Sequence, residues 1–259
     1  MLALRTAGVD VRARVNERVV HGVTPLMLAA RAASLACVEA LLQAGADASL
    51  ASRSGCTALS VAAEQGSEQI AAALLAAGAP VEAADCNGRT PLICASLGGH
   101  TATARVLLDA GANVAAEYID GWTALTRAAQ ASHLSTAALL LEARADVMQR
   151  NCKGTTSIYI AGQEGHTAMV ALLLDSGAEV DYSIPDGRTG LTQAAKNGHL
   201  TTVEAFLAAA PARTHLGIAL ELAAHRGHRS VMHALAVHLH ALTLSQADAA
   251  TRTDHGPAA

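Results

Sequence analysis

The chain has 259 residues, of which 51% are hydrophobic but only 2% aromatic. Its formal net charge is −4, from 18 basic and 22 acidic residues, so no global positive field attracts nucleic acid or anionic lipid. No segment has the roughly 18 uninterrupted apolar residues of a membrane-spanning helix. The five cysteines stand at no metal-ligand spacing, which is typical of a reducing compartment, and we expect a cytoplasmic protein.

A glycine recurs every 33 residues, followed two positions later by a threonine and four positions later by an aliphatic residue. The glycines are Gly22, Gly55, Gly88, Gly121, Gly154 and Gly187, and the threonines are Thr24, Thr57, Thr90, Thr123, Thr156 and Thr189. The aliphatic residues are Leu26, Leu59, Leu92, Leu125, Ile158 and Leu191. A fixed period of this size indicates one small supersecondary unit stacked on copies of itself.

Each repeat is predicted to contain two short helices. In the second repeat, Thr57 is placed to cap a helix over Ala58–Gln65, and Gly66 ends that helix. Ser67 begins a second helix, which Gly78 terminates by adopting a left-handed conformation. Helices this short are not stable alone, so each must bury its apolar side against neighbouring copies. The sequence therefore predicts an all-α stacked array.

The repeats resemble those of the ankyrin family. The motifs that carry the resemblance are Thr24-Pro25-Leu26 with Ala29-Ala30, Thr90-Pro91-Leu92 with Gly99-His100, the leucine pairs at 41–42, 74–75, 107–108, 140–141 and 173–174, and the Gly-Ala terminators at 45–46, 78–79, 111–112 and 177–178. The resemblance implies an all-α ankyrin-repeat solenoid of helix-turn-helix units with finger loops. It also implies that the concave side, made of the fingers and the inner helices, binds another protein.

Three regions are predicted along the chain. Residues 1–18 form a partial N-terminal repeat, residues 19–242 hold six full repeats and a degenerate C-terminal cap repeat, and residues 243–259 form a disordered tail. No polar capping helix precedes the first repeat, although such arrays need one for solubility. Either Met1 is an internal start within a longer product, or this end is frayed.

Departures from the family pattern gather between about residues 144 and 190. Arg144 stands where a glycine usually ends the second helix, Gly162 lies inside a helix where alanine is usual, and Gly190 replaces a helix-starting proline. We therefore expect this stretch to exchange amide hydrogens earliest among the interior repeats. Arg144→Gly and Gly162→Ala together are expected to stabilise the protein by about 1–2 kcal/mol.

The family's histidine after Thr-Pro-Leu is replaced in every repeat. The replacements are Met27, Ser60, Ile93, Thr126, Tyr159 and Thr192. Hydroxyl groups must therefore supply any hydrogen bond between repeats that this histidine would make, or the bond is absent.

The histidines and cysteines are interpreted as structural or surface residues. The histidines His100, His133, His166, His199 and His228 occupy the turn between the two helices of successive repeats. Copies one repeat apart should lie on the order of 10 Å apart, too far to share one metal ion. Cys56, Cys86 and Cys152 are predicted to be exposed at or beside finger tips. Because no phosphate-binding loop or catalytic motif is present, we expect no metal, no cofactor and no enzymatic activity.

Positive and negative residues alternate along the fingers and the ends of the first helices, without the basic stripe that nucleic acid requires. The predicted partner-binding residues are Arg53, Arg89, Tyr118, Trp122, Arg127, Gln130, Arg150, Glu164 and Arg188. Trp122 is the only tryptophan, and tryptophan, tyrosine and arginine are enriched at interface hot spots. Alternatively, Trp122 only packs against the next finger.

Arg127 and Gln193 interrupt the apolar pattern of the first helix in the fourth and sixth repeats. The corresponding residues elsewhere are Leu28, Val61, Cys94 and Ile160. A buried cation without a partner is costly, so Arg127 must reach water or find a carboxylate. It either extends to the rim or emerges on the concave side near Tyr118 and Trp122.

We therefore predict a non-catalytic scaffold, adaptor or inhibitor that binds another protein as a monomer. Two alternatives remain at this point: the targeting module of a longer enzyme, such as a kinase or ubiquitin ligase, and a secreted microbial effector.

Overall fold

A computed structural model describes residues 14–253, and describes side chains through residue 244. Within that range the chain forms 14 α-helices and one two-stranded antiparallel hairpin. It divides into an N-terminal lobe, residues 1–152, and a C-terminal lobe, residues 153–259. Most of the predicted partial repeat, residues 1–13, lies outside the described residues.

The described part of the N-terminal lobe, residues 14–152, contains four pairs of helices arranged in two layers. The helices are α1 (Pro25–Arg31), α2 (Leu35–Gln43), α3 (Ala58–Glu64), α4 (Glu68–Ala76), α5 (Pro91–Leu97), α6 (Thr101–Asp109), α7 (Ala124–Gln130) and α8 (Leu134–Glu142). The first helices pack in the order α1, α3, α5, α7, and the second helices in the order α2, α4, α6, α8. Strands β1 (Glu117–Tyr118) and β2 (Trp122–Thr123) form the finger between α6 and α7.

The C-terminal lobe has the same pattern of paired helices within itself, and its last two helices are longer. Its helices are α9 (Ser157–Glu164), α10 (Thr167–Asp175), α11 (Gly190–Asn197), α12 (Leu200–Ala208), α13 (Arg213–Arg226) and α14 (Arg229–Thr253). Helices α9, α11 and α13 form one layer, and α10, α12 and α14 form the other.

Helix α14 corrects the predicted C-terminal boundary. Residues 243–253 were expected to be disordered, but they extend this helix to Thr253. The segment has three alanines and a leucine and contains no glycine or proline, which first appear at Gly256 and Pro257. Its helix propensity therefore permits continuation. Residues 254–259 of the predicted tail lie outside the described range.

The threonine of each repeat begins a first helix as predicted, and in three repeats a second hydroxyl completes the cap. Thr57 Oγ1 accepts a hydrogen bond from the Ser60 amide, while Ser60 Oγ accepts from the Thr57 amide at 2.9 Å. The pairs Thr123–Thr126 and Thr189–Thr192 repeat this arrangement. These hydroxyls therefore bond within their own repeat rather than between repeats.

The turn histidines supply hydrogen bonds between repeats, as do hydroxyl pairs of the second helices such as Thr101–Thr136 and Thr167–Thr202. Nε2 of His100 lies 3.0 Å from the carbonyl oxygen of Glu64, and Nε2 of His133 lies 3.1 Å from that of Leu97. In the C-terminal lobe, His199 and His228 contact the carbonyls of Gln163 and Lys196 in the same way. With a proton on Nε2, each ring satisfies a carbonyl at the end of a first helix, where no intrahelical donor exists. The predicted structural role of these four histidines is confirmed.

Adjacent fingers of the N-terminal lobe are linked by a backbone hydrogen bond that recurs with the 33-residue period. The amides of Arg53, Cys86, Ile119 and Cys152 donate to the carbonyls of His21, Ser54, Asn87 and Asp120, respectively. These bonds fix each finger against the preceding one, so side chains on neighbouring fingers have a defined spacing.

Two of the three predicted weak points prove to be a matched contact in the C-terminal lobe. A Cβ added to Gly162 of α9 would lie 2.6 Å from the carbonyl oxygen of Gly190 in α11. A Cβ added to Gly190 would lie 2.7 Å from Cζ of Phe206. Because two helix backbones meet here with no space for a side chain, the expected gain from Gly162→Ala is wrong. Arg144 does adopt the left-handed conformation that its position predicts, with φ 68°.

Candidate functional site

The arginine–aromatic cluster, defined as Tyr118, Trp122, Arg127 and Gln130, lies at the base of the β1–β2 finger. Strand register pairs Tyr118 directly with Trp122, which places both side chains on one face of the hairpin. Helix α7 begins immediately after β2, where Thr123 caps it, and carries Arg127 and Gln130. The sequence thus brings two rings and a guanidinium together within 13 residues, from 118 to 130.

The guanidinium of Arg127 packs on both aromatic rings. Its Cζ lies 4.2 Å from the ring centroid of Trp122 and 5.1 Å from that of Tyr118. A cation at these distances is attracted to the electron-rich face of the ring. Tyr118 is buried, with 9% of its surface exposed, whereas Trp122 and Arg127 are partly exposed. The hypothesis that Arg127 emerges beside these two residues therefore agrees with the geometry.

The polar environment of Arg127 is incomplete. Nη1 donates a hydrogen bond of 2.5 Å to Oε1 of Gln130, but the buried Nε has no hydrogen-bond partner. Within the described residues, no carboxylate forms a salt bridge with Arg127. Burial, and secondarily the charge of Arg89, lowers the pKa of Arg127 below its ordinary value. Gln193, the other interruption of the apolar pattern, is also buried with an unpartnered Nε2.

Arg89, on the preceding finger, has its charge compensated by Asp85. Nε and Nη2 of Arg89 each lie 2.8 Å from Oδ2 of Asp85, and Oδ1 accepts from the amides of Asn87 and Arg89. Burial is the largest influence on the Asp85 carboxyl and raises its pKa, but the hydrogen bonds from Arg89 and Asn87 outweigh it, so the net pKa is lowered. The pair stabilises its own finger, which leaves Arg127 as the uncompensated neighbour.

The cysteines near this site are structural or solvent-exposed. Cys94 is buried, and burial raises the pKa of its thiol to about 12, which keeps it protonated and unreactive. Cys86 and Cys152 are exposed as predicted, whereas Cys56 is only half-exposed. No group of three His, Cys, Asp or Glu residues in the described part of the chain could hold a metal ion.

The other predicted binding residues belong to other fingers and helices. Arg53 and Arg150 are exposed on other fingers of the N-terminal lobe. Glu164 and Arg188 belong to the C-terminal lobe, where Arg188 forms an ion pair with Asp186 of its own finger. The pairing of Arg89 with Asp85 was missed in the sequence, although an acid four residues before a base on one short finger was an available signal.

Comparison with protein-family models identifies the class of protein. The model described as ankyrin repeats, in three copies, matches residues 2–85, 26–118, 68–151 and 114–184. These matches extend over more than half of the chain, so the chain belongs to the ankyrin repeat family, and the fold is an all-α repeat solenoid. A search of curated proteins found no match.

The family places general limits on function. Ankyrin repeats are generally protein–protein interaction modules and are typically non-catalytic. Among the described residues, no helix combines the length and apolar character needed to cross a bilayer.

Proposed function

We propose that this protein is a monomeric, cytoplasmic scaffold, adaptor or inhibitor that binds a protein partner on the side formed by its fingers and first helices. The observation that carries the proposal is the packing of Arg127 on Trp122 and Tyr118. Tryptophan, tyrosine and arginine are the residues most enriched at interface hot spots. Because the two rings already hold the guanidinium, a partner would not have to order a flexible arginine on binding.

The position of Arg127 supports a binding role over a packing role. In neighbouring repeats of the N-terminal lobe, Val61 and Cys94 fill the same position and are buried. An apolar residue would therefore fit here, whereas Arg127 leaves a buried Nε–H without an acceptor. An unmet hydrogen bond of this kind costs stability in the free protein. A bound partner cannot reach this buried Nε, but its acceptors would compensate the charge at the terminal Nη groups.

The proposal is tested by affinity capture from the native proteome with matched variants. Trp122→Ala and Arg127→Gln, made one at a time, should each reduce recovery of the specifically captured partner while the melting curve stays nearly unchanged. Tyr118→Ala should also reduce recovery, but it should lower the melting temperature as well, because Tyr118 is buried. Arg105→Gln is the matched control, because Arg105 is an exposed cation on α6, in the layer of second helices. Arg53→Gln and Lys196→Gln test other fingers and first helices.

If the Arg105, Arg53 or Lys196 variants reduced recovery of the partner equally, a binding centre at the cluster would be contradicted. Unfolding of the array by the three cluster substitutions would instead assign those residues a structural role.

A further inference from the structure

In the described part of the chain, no acidic side chain forms an ion pair with Arg127. On the preceding finger, the carboxylate of Asp85 is already held by both Nε and Nη2 of Arg89. Arg89, which has the same sign, is the charged group that lowers the pKa of Arg127 in addition to burial. Among the described residues the only hydrogen bond of the guanidinium is to the neutral Gln130. The cluster is therefore complementary to an anion.

The stacking determines how an anion can approach. Trp122 and Tyr118 pack on the guanidinium and its Nε is buried, so a ligand must address the N–H groups of Nη1 and Nη2. A planar carboxylate accepts two parallel hydrogen bonds from such an edge, and such charge-assisted bonds are stronger than neutral ones.

The charge and the surroundings favour a carboxylate on a peptide over a phosphate. One uncompensated arginine matches a single negative charge, whereas a phosphorylated residue carries close to two and is usually bound by several cations. Ile119, between the two aromatic residues on the same finger, is 51% exposed. It offers an apolar surface beside the guanidinium, suited to an apolar residue next to the acidic one.

We propose that the arginine–aromatic cluster recognises a glutamate or aspartate side chain within a partly apolar peptide segment of the protein partner. This inference rests on the proposed function, since it names the chemical group that the binding centre accepts. Arg127 binds the carboxylate, Trp122 and Tyr118 hold the guanidinium in place, and Ile119 contacts a flanking apolar side chain.

A displayed library of random nonapeptides, selected on the full 259-residue chain, tests the proposal. Recovered peptides without tryptophan are then synthesised and titrated, because Trp122 is the only tryptophan of the protein and its emission reports directly on the cluster. The peptides should share an acidic residue and change the emission of Trp122 on binding. Replacing that residue by its amide should weaken binding by about tenfold or more, the equivalent of one charge-assisted hydrogen bond.

A double-mutant cycle locates the interaction. Arg127→Gln should weaken binding by a similar factor, and combining it with the amide peptide should cause little further loss, because both changes remove the same contact. Arg127→Lys keeps the charge but loses the bidentate geometry, so an intermediate loss is expected. Arg105→Gln should leave the affinity unchanged. Far-ultraviolet circular dichroism and the melting curve confirm that each variant is folded.

The remaining outcomes separate this inference from the proposed function. Neutral peptides that change the emission of Trp122 would overturn the proposed recognition of a carboxylate and leave the protein-binding role in place. A peptide with phosphoserine at the acidic position that binds tenfold more tightly would assign the site to phosphate instead. Failure to recover any peptide, or peptides insensitive to Trp122 and Arg127 substitutions, would count against both.

Discussion

Gly162 and Gly190 bring the backbones of α9 and α11 so close that neither position has room for a methyl group. A Cβ at Gly162 would lie 2.6 Å from the Gly190 carbonyl oxygen, a rigid backbone atom. The family pattern predicts two separate defects at these glycines, but in the structure the two residues form one contact. The close packing of the two helices thus offsets the stabilisation that the higher helix propensity of alanine would provide.

Gly162→Ala is accordingly expected to destabilise the protein by about 1–3 kcal/mol, since overpacking forces the backbones apart. The measurement is the urea midpoint followed by circular dichroism. Gly217→Ala is the matched control, because Gly217 lies inside α13 and a Cβ there would meet nothing within 4 Å. That variant should be stabilised by about 0.5–1 kcal/mol through helix propensity alone. A stabilised Gly162→Ala protein would show that the helices can separate freely.

Arg144→Gly should raise the free energy of unfolding by about 1 kcal/mol, because Arg144 has φ 68° and glycine adopts that conformation without a steric penalty. The reciprocal control is Gly111→Ala at the corresponding position of the third repeat, where φ is 88° and the space around a Cβ is open. Gly111→Ala is expected to lower the free energy of unfolding by a similar amount. Because the new methyl group contacts nothing, this loss reports the backbone strain alone. An unchanged midpoint in both variants would contradict the strain at this position.

The period and the capping threonines predicted the helix bounds closely, because both depend on contacts within one repeat. For example, the predicted first helix Ala58–Gln65 is observed as Ala58–Glu64. The partnership of Gly162 with Gly190 was not predictable in the same way, because it joins residues of adjacent helices that one repeat's pattern treats independently.

The site was predictable in part for the same reason. Tyr118, Trp122 and Arg127 are near neighbours in sequence, so their proximity followed from the finger and the start of α7. The capture of Arg89 by Asp85, which leaves Arg127 as the uncompensated charge, depends on side-chain geometry within the finger. Glu164 and Arg188 were predicted from position alone and lie in the C-terminal lobe.

The expectation of early amide exchange between residues 144 and 190 stays a prediction. Gly162 and Gly190 no longer support it, but the fifth repeat contributes a different reason. Tyr159 stands where three other repeats have a capping hydroxyl, and the buried Oγ1 of Thr156 has no hydrogen-bond partner. Tyr159→Thr should restore the second hydroxyl of the cap, at the expense of tyrosine packing.

Substitutions of a turn glycine and of the histidine that packs on it should have strongly coupled effects on the free energy of unfolding. A Cβ at Gly66 would lie 2.3 Å from Nδ1 of His100, so Gly66→Ala suffers both an unfavourable φ of 69° and a collision with the ring. His100→Ala removes the collision and also the hydrogen bond to the Glu64 carbonyl. In a double-mutant cycle, Gly66→Ala should therefore cost less in the His100→Ala background, with a coupling free energy of about 0.5–3 kcal/mol. Additive losses would mean that the histidine ring moves aside freely.

The Asp85 carboxylate should make the free energy of unfolding depend on pH only at acidic pH. The pKa of its carboxyl is lowered from 3.8, so its stabilising contribution is fully present above that value and is lost as the pH falls through the lower folded-state pKa. Asp85→Asn should cost about 1.5–3 kcal/mol near neutral pH, where it removes charge-assisted bonds to Arg89. The difference between the two proteins, measured by urea unfolding at a series of pH values, should narrow only below 3.8. A difference that closes at higher pH would contradict the lowered pKa.

Arg127→Leu separates binding from stability most directly. Leucine would fill a position that Val61 and Cys94 occupy in other repeats, and it would remove the unpartnered Nε–H. These gains should roughly offset the lost stacking on Trp122 and Tyr118, so the free energy of unfolding should change by less than about 1 kcal/mol. Partner capture, however, should be lost.

Val61→Arg is the matched reverse substitution and should destabilise the array by about 3 kcal/mol or more, because the second repeat has no aromatic pair to pack on the cation. If Arg127→Leu instead unfolded the protein as readily as Val61→Arg, the guanidinium would be a structural element and the binding centre would lie elsewhere.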